Sequence, residues 1–221
     1  MIKPASVKKR KPAIIITAGP TREKIDPVRF ISNYSTGFFG YEIAKQAFAR
    51  GFRTTLISGP THLKPPSGVK FIAVESALDM RRAVLNELRR TDYLIMAAAV
   101  SDWRPAAFAK NKIKKNGPVF TLKLRTNPDI VAEAVKIKKP AMVVGFSLET
   151  ESLAHNASEK LKEKGLDIIV ANRILPAASP FGDNINDIMI IDRFGNKHLY
   201  HRKSKQTMAK IILDKVLRFN I

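Results

Sequence analysis

The residues best suited to chemistry lie in a polar loop that follows a short apolar segment near the start of the chain. The apolar segment, residues 13–18, ends at Gly19, and the loop beyond it carries Arg22, Arg29 and Asn33. A helical pattern begins directly after this loop. Free backbone N–H groups and the positive end of the helix dipole make such a junction attractive to anions. The sequence therefore predicts a loop that binds a ligand with phosphate and amide groups, with a plain helix-capping loop as the alternative.

A second polar segment follows the apolar residues 93–98. The small alanines at this predicted strand end would let a planar ring or a backbone approach closely. Asp102, a few residues further on, could bind a ribose hydroxyl, a base amine or a metal ion on a phosphate. The alternative is that Asp102 pairs with Arg104 in a surface turn.

Three further segments each have two interpretations. The lysine-rich residues 110–115 are either a solvated loop or a lid that neutralises a triphosphate and excludes water. Residues 126–130 are typical of a helix start, where a simple cap explains most of the pattern. Phe146 could stack on a base or fill the core, and Lys160 and Lys164 lie one turn apart on a helix face.

The elements that must position these residues alternate between apolar strands and amphipathic helices. The pattern predicts an α/β protein: a Rossmann-like, mostly parallel sheet with helices on both faces, and a C-terminal β-hairpin plus helix. Residues 1–12 are expected to be a basic, disordered arm and residues 13–221 a single nucleotide-binding domain. In such sheets ligands bind at the carboxyl ends of the strands, which is where the polar segments begin.

The predicted helices include one that begins after a Ser76 cap and one in which Phe48 faces inward. The predicted helices are residues 39–50, 77–90, 129–136, 153–164 and 204–219. The predicted strands are residues 13–18, 54–58, 69–74, 93–98, 142–146 and 167–171, with a hairpin over 187–192 and 197–200.

The composition is that of an ordinary globular protein with an unusual charge. The 221 residues are 45% hydrophobic and 26% charged, with no cysteine and a net charge of +20. No apolar run reaches the roughly 18 residues of a membrane span, and no secretory signal is evident, so a cytoplasmic location is expected. The charge is spread over many short clusters with few aromatics between them, which favours small anionic substrates over nucleic acid.

Several catalytic classes find no support in the sequence. The four histidines occur in dissimilar contexts, and no serine hydrolase or metal-hydrolase pattern is present. The absence of a G-x-G-x-x-G motif weakens a dinucleotide oxidoreductase. Two alternatives remain on charge and fold alone: a basic protein associated with nucleic acid, and an NAD(P)H- or flavin-dependent reductase.

Six motifs in a fixed order resemble those of phosphopantothenate–cysteine ligase, the synthetase half of the bifunctional bacterial coenzyme A biosynthesis protein. They are GPTREKIDPVRFISNYSTG from Gly19, AAAVSDWRP from Ala97, KIKK from Lys112, NPDI from Asn127, GFSLET from Gly145, and the segment 166–172. The resemblance covers about residues 13–215.

The resemblance implies a reaction in two steps. The carboxylate of 4′-phosphopantothenate attacks the α-phosphorus of CTP, an acyl-cytidylate forms and pyrophosphate leaves. The amine of cysteine then displaces CMP and forms the amide. It also implies Mg²⁺ with CTP as co-substrate, and a homodimer whose acyl site is completed across the subunit interface. The decarboxylase half is absent here, so we expect it on a separate chain or on a part that has been removed. Eukaryotic relatives use ATP.

The resemblance also assigns roles to residues. Asn33 and Lys112 are implied to be catalytic, with Lys112 in a flap that closes for the second step. Arg29, Asn33 and Ala99 are implied to bind the acyl substrate. No metal ligand is predicted. The residues implied to contact the nucleotide are Gly19, Ser35, Thr36, Gly37, Met96, Ala97, Ala98, Asp102, Lys112, Asn127, Pro128, Asp129, Ile130, Phe146, Lys160 and Lys164.

The sequence departs from the family pattern in two motifs. Ser-Thr-Gly-Phe-Phe-Gly, residues 35–40, stands where Ser-Ser-Gly-x-Met-Gly is usual, and Thr36 keeps the hydroxyl while Phe38 adds bulk. Gly-Phe-Ser-Leu-Glu-Thr replaces Gly-Phe-Ala-Ala-Glu-Thr, which keeps Phe146 and Glu149. Because Thr36 keeps the hydroxyl, phosphate binding is expected to survive the first change.

Overall fold

A sheet of eight strands forms the centre of the protein. The computed structural model describes residues 10–137, 140, 142–149, 151–173 and 186–219. In chain order the strands of these residues are β1 Ala13–Ala18, β2 Arg22–Lys24, β3 Phe30–Ser32, β4 Arg53–Ser58, β5 Lys70–Ala73, β6 Tyr93–Met96, β7 Trp103–Pro105, β8 Leu124–Thr126, β9 Met142–Glu149, β10 Ile168–Arg173, β11 Asn186–Asp192 and β12 Lys197–Lys203.

The strand order of the large sheet places a crevice beside β1. The order is β12-β11-β10-β9-β6-β1-β4-β5. Strands β5, β4, β1, β6, β9 and β10 run parallel, whereas β11 and β12 add an antiparallel hairpin to β10. The chain builds outwards from β1 to β5 and then returns to the other side of β1 with β6. Doubly wound sheets bind ligands at such a reversal, outside the carboxyl ends of the strands.

Helices cover both faces of the sheet. They are α1 Phe38–Ala49, α2 Ala77–Leu88, α3 Ile130–Ile137, α4 Leu153–Glu163 and α5 Lys205–Arg218. One apolar cluster joins α1 and α5 to one face, and a second joins α2, α3 and α4 to the other. Strand β1 is buried on both sides, since Ile14 and Ile16 enter the first cluster and Ile15 enters the second. Continuous apolar strands are the expected result of burial on both faces.

The predicted fold class is confirmed by this architecture. The cap at Ser76 is also present: its Oγ accepts from the Asp79 N–H at 3.2 Å, and the Asp79 carboxylate accepts from the Ser76 N–H at 3.0 Å. This is a capping box. One packing prediction is wrong. Phe48, expected to face inward, is 44% exposed because its ring lies over Gly68 near the surface.

Two small antiparallel ribbons were not predicted. Strand β2 pairs with β3, β7 pairs with β8, and β2 also contacts β7. Each of these strands has three residues, which is too short to show the alternation that identifies a strand from sequence. The ribbons extend the two polar loops that follow β1 and β6.

The expected N-terminal arm, residues 1–12, is described only in part, because residues 1–9 lie outside the described ranges. Residues 10–12 run along the sheet. Arg10 pairs with Asp92 at 2.6 Å, and the Pro12 carbonyl accepts from the Arg53 N–H at 2.9 Å. Within the described part of the chain, no helix has the length and apolar character needed to cross a bilayer.

Gly40 sets how closely α1 approaches β1. A Cβ atom at Gly40 would lie 2.6 Å from the Ala18 Cβ and 2.8 Å from the Thr17 carbonyl oxygen. Both neighbours belong to the rigid centre of the sheet and cannot move aside cheaply. The absence of a side chain at Gly40 therefore lets the first turn of α1 lie against the end of β1.

We expect Gly40→Ala to destabilise the protein by about 1–3 kcal/mol, the usual cost of overpacking, despite the better helix propensity of alanine. Thermal or denaturant unfolding measures the change. Lys45→Ala, at an exposed position of the same helix, should leave the unfolding midpoint nearly unchanged. Equal stability of Gly40→Ala and the wild type would contradict the close packing of α1 on β1.

Candidate active site

A cavity of about 200 Å³ opens at the carboxyl ends of β1, β6, β9 and β10. It lies at the reversal of strand order described above. The cavity gathers residues that come from distant parts of the sequence, including the loop before α1, the loop after β6, and the ends of β9 and β10. The predicted site residues that line it are Ser35, Thr36, Gly37, Ala97, Ala98, Ala99 and Phe146.

Two glycines bring the loop after β1 against the start of α1. Gly19 has φ +73° and Gly37 has φ +78°, a conformation that favours glycine. A Cβ atom on Gly37 would lie 3.1 Å from the backbone of Gly19 and 2.7 Å from the Thr61 methyl carbon. A Cβ atom on Gly19 would lie 2.9 Å from the Gly59 carbonyl oxygen, so neither position has room for a side chain, and at Gly37 the backbone itself forms the wall of the cavity.

The start of α1 has backbone N–H groups that are only weakly satisfied. Gly37 is the N-cap and its lack of a side chain leaves no side-chain cap. Its N–H donates to Ser35 Oγ at 3.3 Å, and the Phe38 N–H donates to Thr36 Oγ1 at 3.4 Å. Both bonds are longer than usual. An anion can therefore replace the two hydroxyls as the acceptor of these N–H groups, as is common at helix N-termini.

The other end of the cavity combines an aromatic ring with buried polar atoms. Phe146 meets Phe39 edge to face, with 5.2 Å between the ring centroids. Ser147 Oγ and Asn172 Oδ1 are buried and have no hydrogen-bond partner in the described structure. Such atoms are costly when they are left unpaired. Their position in the cavity wall therefore points to a ligand with polar groups.

Lys205 adds a cation to the cavity from an unexpected direction. It is the first residue of α5, lines the cavity and is only 6% exposed. Strands β11 and β12 bring the chain back to the carboxyl ends of the parallel strands before α5 begins. The cavity thus has positive charge from Lys205 and from the N-terminus of α1.

Asn33 joins the loop after β1 to the loop after β6. Its Nδ2 donates to the Ala99 carbonyl oxygen at 2.9 Å. The Ala98 N–H donates to Thr17 Oγ1 at 3.1 Å, and the Thr17 hydroxyl points to the sulfur of the buried Met96 at 3.7 Å. Strand β1 therefore fixes the backbone to which Asn33 is bound.

Asn127 orders the segment that contains Asp102. The Asn127 N–H donates to the Asp102 carbonyl oxygen, and its Nδ2 donates to the Ser101 carbonyl oxygen, both at 2.7 Å. Arg104 donates to Asn127 Oδ1 at 2.7 Å and to the Thr126 carbonyl oxygen at 2.5 Å. In the described structure Arg104 thus binds this segment instead of pairing with Asp102, and the Asp102 side chain is exposed.

The two predicted lysines of α4 and its C-cap are each paired with a carboxylate. Lys160 contacts Glu149 at 2.7 Å, and Lys164 contacts Asp129 at 3.0 Å. Burial would raise the pKa of Asp129, but bonds from the Ala132 N–H and from Lys164 outweigh it, so this pKa lies below its ordinary value. Neither lysine lines the cavity itself. The carboxylates hold both lysines at the carboxyl end of β9 and the start of α3.

The residues beside Asp129 occupy different positions. Pro128 precedes the helix, and Ile130 is buried in the core as the first residue of α3. A residue whose side chain is enclosed in this way can contact a ligand only through its backbone. Lys112 lies in the exposed lysine-rich loop, next to Ile113, whose backbone is bound by the loop after β1.

Arg29 is held by Asp26. Asp26 Oδ2 accepts from Arg29 Nε at 3.0 Å and from Arg29 NH2 at 2.5 Å, while the same guanidinium donates to the Ile113 carbonyl oxygen at 3.0 Å. The Arg29 guanidinium holds the pKa of the Asp26 carboxyl far below its usual range. The predicted substrate-binding arginine is therefore a fixed cation.

Sequence reasoning assigned no site role to Asp26, Asn172 or Lys205. The spacing Asp26-Pro-Val-Arg29 is typical of a turn in which aspartate accepts from the backbone ahead of it, so Asp26 had a usable signal. Asn172 lies near the end of a buried strand, and this position was a weaker signal of a site role. Nothing in the local sequence of Lys205 connects it with residues so distant along the chain.

A metal ion at this site would take most of its coordination from a bound substrate and from water, and little from the protein. Among the described residues no group of three or more His, Cys, Asp or Glu side chains could hold one. Mg²⁺ is usually bound by one or two carboxylates together with substrate phosphates and waters. The exposed Asp102 fits that kind of site, although a site made only of protein groups is not found in the described ranges.

Comparisons with a family model and with known proteins agree on the family of this chain. Residues 9–219 match the model of the DNA/pantothenate metabolism flavoprotein C-terminal domain. The coenzyme A biosynthesis bifunctional protein CoaBC of Bacillus subtilis is 43% identical over 204 residues, which are 92% of this chain and 50% of that protein. A cysteine/cysteine sulfinic acid decarboxylase from an unknown prokaryotic organism is 43% identical over 206 residues, 92% of this chain and 57% of that protein.

A solved structure supports the same relationship. The crystal structure of the C-terminal domain of a coenzyme A biosynthesis bifunctional protein CoaBC superposes with a TM-score of 0.79 at 36% identity, covering 93% of each chain. This chain spans about half the length of the curated relatives it matches. It belongs to the family of the DNA/pantothenate metabolism flavoprotein C-terminal domain, the domain it shares with the coenzyme A biosynthesis bifunctional proteins.

Proposed function

We propose that this chain is a phosphopantothenate–cysteine ligase that uses CTP. One observation carries the proposal: a single cavity is lined by the N-terminus of α1, by Ala99, to which Asn33 is bound, and by Asn172, whose Oδ1 has no hydrogen-bond partner in the described structure. A carboxylate, a triphosphate and a base have matching groups there. The relatives named for coenzyme A biosynthesis support the choice of substrates.

The first step needs negative charge to be neutralised around the reacting phosphorus. The carboxylate oxygen of 4′-phosphopantothenate bonds to the α-phosphorus of CTP, and the bond to the pyrophosphate oxygen breaks. The N–H groups of Gly37 and Phe38 and the cationic Lys205 can stabilise the charge that develops on the phosphates. Since the nucleophile belongs to the substrate, no serine or cysteine nucleophile is required.

Asn33 is proposed to hold the activated acyl group. A side-chain amide has two N–H donors and one oxygen acceptor. The bond to the Ala99 carbonyl uses one donor and fixes the amide in place. The remaining donor and acceptor can bind the acyl-cytidylate while the amine of cysteine attacks the acyl carbon and CMP leaves. A positioned amide of this kind acts mainly by orientation.

The base is proposed to lie at the Phe146 end of the cavity. Asn172 Oδ1 can accept from an exocyclic amine, which cytosine has and uracil lacks. Phe146 offers an apolar surface beside it. Mg²⁺ would be held chiefly by the triphosphate, with the exposed Asp102 of the loop after β6 as the proposed protein ligand, and would supply further charge neutralisation at the phosphates.

The nucleotide is tested by pyrophosphate release with 4′-phosphopantothenate and each of CTP, UTP, ATP and GTP, with and without cysteine. We expect CTP to react fastest and UTP at least about tenfold more slowly, because a buried acceptor would lose its donor. Asn172→Ala should reduce the ratio between the rates of pyrophosphate release with CTP and with UTP. Asn86→Ala, at an exposed position of α2, should leave this ratio unchanged. Fastest release with ATP, or release that does not require 4′-phosphopantothenate, would refute the proposed reaction.

Asn33→Asp tests the role of the amide. A carboxylate cannot donate to the Ala99 carbonyl and would repel the anionic intermediate, so product formation should fall by about tenfold to a hundredfold. CTP affinity, measured by calorimetry, should stay within about twofold, since the phosphate and base contacts remain. Asn86→Asp makes the same chemical change far from the cavity and serves as the control. Normal product yield from Asn33→Asp would exclude the proposed role.

A second copy of this chain is proposed as the occupant of the apolar surface on the two ribbons. The ribbons β2–β3 and β7–β8 with their adjoining loops expose several large apolar side chains: Val28, Phe30, Tyr34, Trp103, Phe108, Val119, Phe120 and Leu124. Scattered apolar residues are normal on a surface, but a cluster of this size is typical of an interface. The same ribbons carry Arg29 and adjoin Asn33, so a two-fold partner would lie beside the acyl site.

Trp103→Lys should weaken this association. Burying a lysine in an apolar interface without a partner is costly, so the variant should sediment or scatter light as a monomer at concentrations where the wild type is a dimer. Phe71→Lys, which changes an exposed aromatic residue of the edge strand β5, should remain dimeric. A wild-type chain that is monomeric at micromolar concentration would contradict the proposed homodimer.

A further inference from the structure

We propose that Asp26 is a positioning residue, which fixes the segment 109–113, and with it Lys112, against the loop that carries Arg29. The proposal concerns how the lysine-rich loop is held. Its consequence for catalysis rests on the proposed function, but the anchoring itself can be measured without any substrate.

The Asp26 carboxylate is a fully enclosed junction between two loops. Its side chain has 0% exposure, and its two oxygens divide their hydrogen bonds. Oδ1 accepts from the N–H groups of Val28 and Arg29, both at 2.9 Å, and thereby forms the local turn. Oδ2 accepts from the Arg29 guanidinium and from the Ile113 N–H at 3.1 Å. One oxygen therefore folds its own loop, and the other holds a different loop.

The segment 109–113 is bound at both of its ends. The Ala109 N–H donates to the Ile25 carbonyl oxygen at 3.0 Å. At the other end both backbone groups of Ile113 are used, because its N–H donates to Asp26 and its carbonyl accepts from Arg29. Residues 110–112 are thus a short arch between two anchors. An arch of this length confines Lys112 far more than a free loop would.

The arch matters because a lysine on a four-carbon stem contributes to catalysis only where its position is restricted. Lys112 itself is exposed, so its own side chain does not fix it. The nearest fixed point is Ile113, held by the Asp26–Arg29 pair.

Asp26→Asn separates the two functions of the carboxylate. The amide oxygen can still accept from Val28 and Arg29 and keep the turn. The amide nitrogen then faces the Arg29 guanidinium and the Ile113 N–H, which are donors like itself. The variant therefore loses the anchor on the lysine-rich loop while keeping its own loop folded.

The matched control is Asp192→Asn. Asp192 Oδ1 accepts from the N–H groups of Phe194 and Asn196, and its Oδ2 accepts from Asn196 Nδ2. The turn resembles that of Asp26 but lies at the opposite end of the parallel strands, and among the described residues the Asp192 carboxylate makes no hydrogen bond to a distant loop. The change removes the same charge without touching residues 109–113.

The first measurement is hydrogen exchange, followed by mass spectrometry, of peptides that contain Ile113 in the intact chain without substrates. We expect exchange there to become about tenfold faster in Asp26→Asn, since a charge-assisted bond is lost, and to stay unchanged in Asp192→Asn. Ala109→Pro removes the donor at the other anchor and should also accelerate exchange at Ile113. Unchanged exchange in both Asp26→Asn and Ala109→Pro would overturn the anchoring.

The second measurement separates the two half-reactions. In Asp26→Asn, at saturating 4′-phosphopantothenate, we expect amide formation from cysteine to slow by about tenfold or more, with pyrophosphate release and the KM for CTP within about twofold of the wild type. Faster exchange with unchanged amide formation would overturn the positioning role. If the wild type releases no pyrophosphate with any triphosphate, the proposed function fails, and the exchange experiment still decides the anchoring.

Discussion

The contact between the end of β1 and the start of α1 is the constraint on which the site depends. Gly40 lets the helix lie against Ala18, and the absence of a side chain on Gly37 leaves room for the backbone of Gly19. A side chain on Gly40, at the first turn of the helix, would push the helix start away from the sheet. The weakly bonded N–H groups of Gly37 and Phe38 would then no longer lie at the wall of the cavity. Close packing in the core thus determines the chemistry at the surface.

The cations near the site share a second constraint, since several of them are paired with carboxylates. Arg29, Lys160 and Lys164 contact Asp26, Glu149 and Asp129 respectively. Each carboxylate reduces the net positive charge, but it also restricts a long and flexible side chain before any ligand arrives. Because ordering such a side chain costs conformational entropy, part of that cost is met during folding and not during binding.

Much of the fold could be predicted from the sequence because its strands are continuous apolar runs and its helices have clear periodicity. Residues 13–18 and 93–98 indicated where the sheet lies, and the polar residues after them indicated the end of the sheet at which the cavity opens. The ribbons β2–β3 and β7–β8 escaped prediction because strands of three residues have no measurable period. Asn172 and Lys205 became visible as cavity residues only in three dimensions, since their role depends on which strand ends are neighbours.

Both ends of the described chain lie away from the cavity. Arg10 is bound to Asp92 where β6 begins, and Phe219 stacks on Phe194 in the turn of the β11–β12 hairpin, beside the start of β10. A linker or a fused domain joined at residue 10 or at residue 219 would therefore start at the end of the parallel strands opposite the cavity. Immobilised through surface residues at that end of the sheet, the protein would present the mouth of its cavity to the solution, which suits it to ligand screening on a sensor surface.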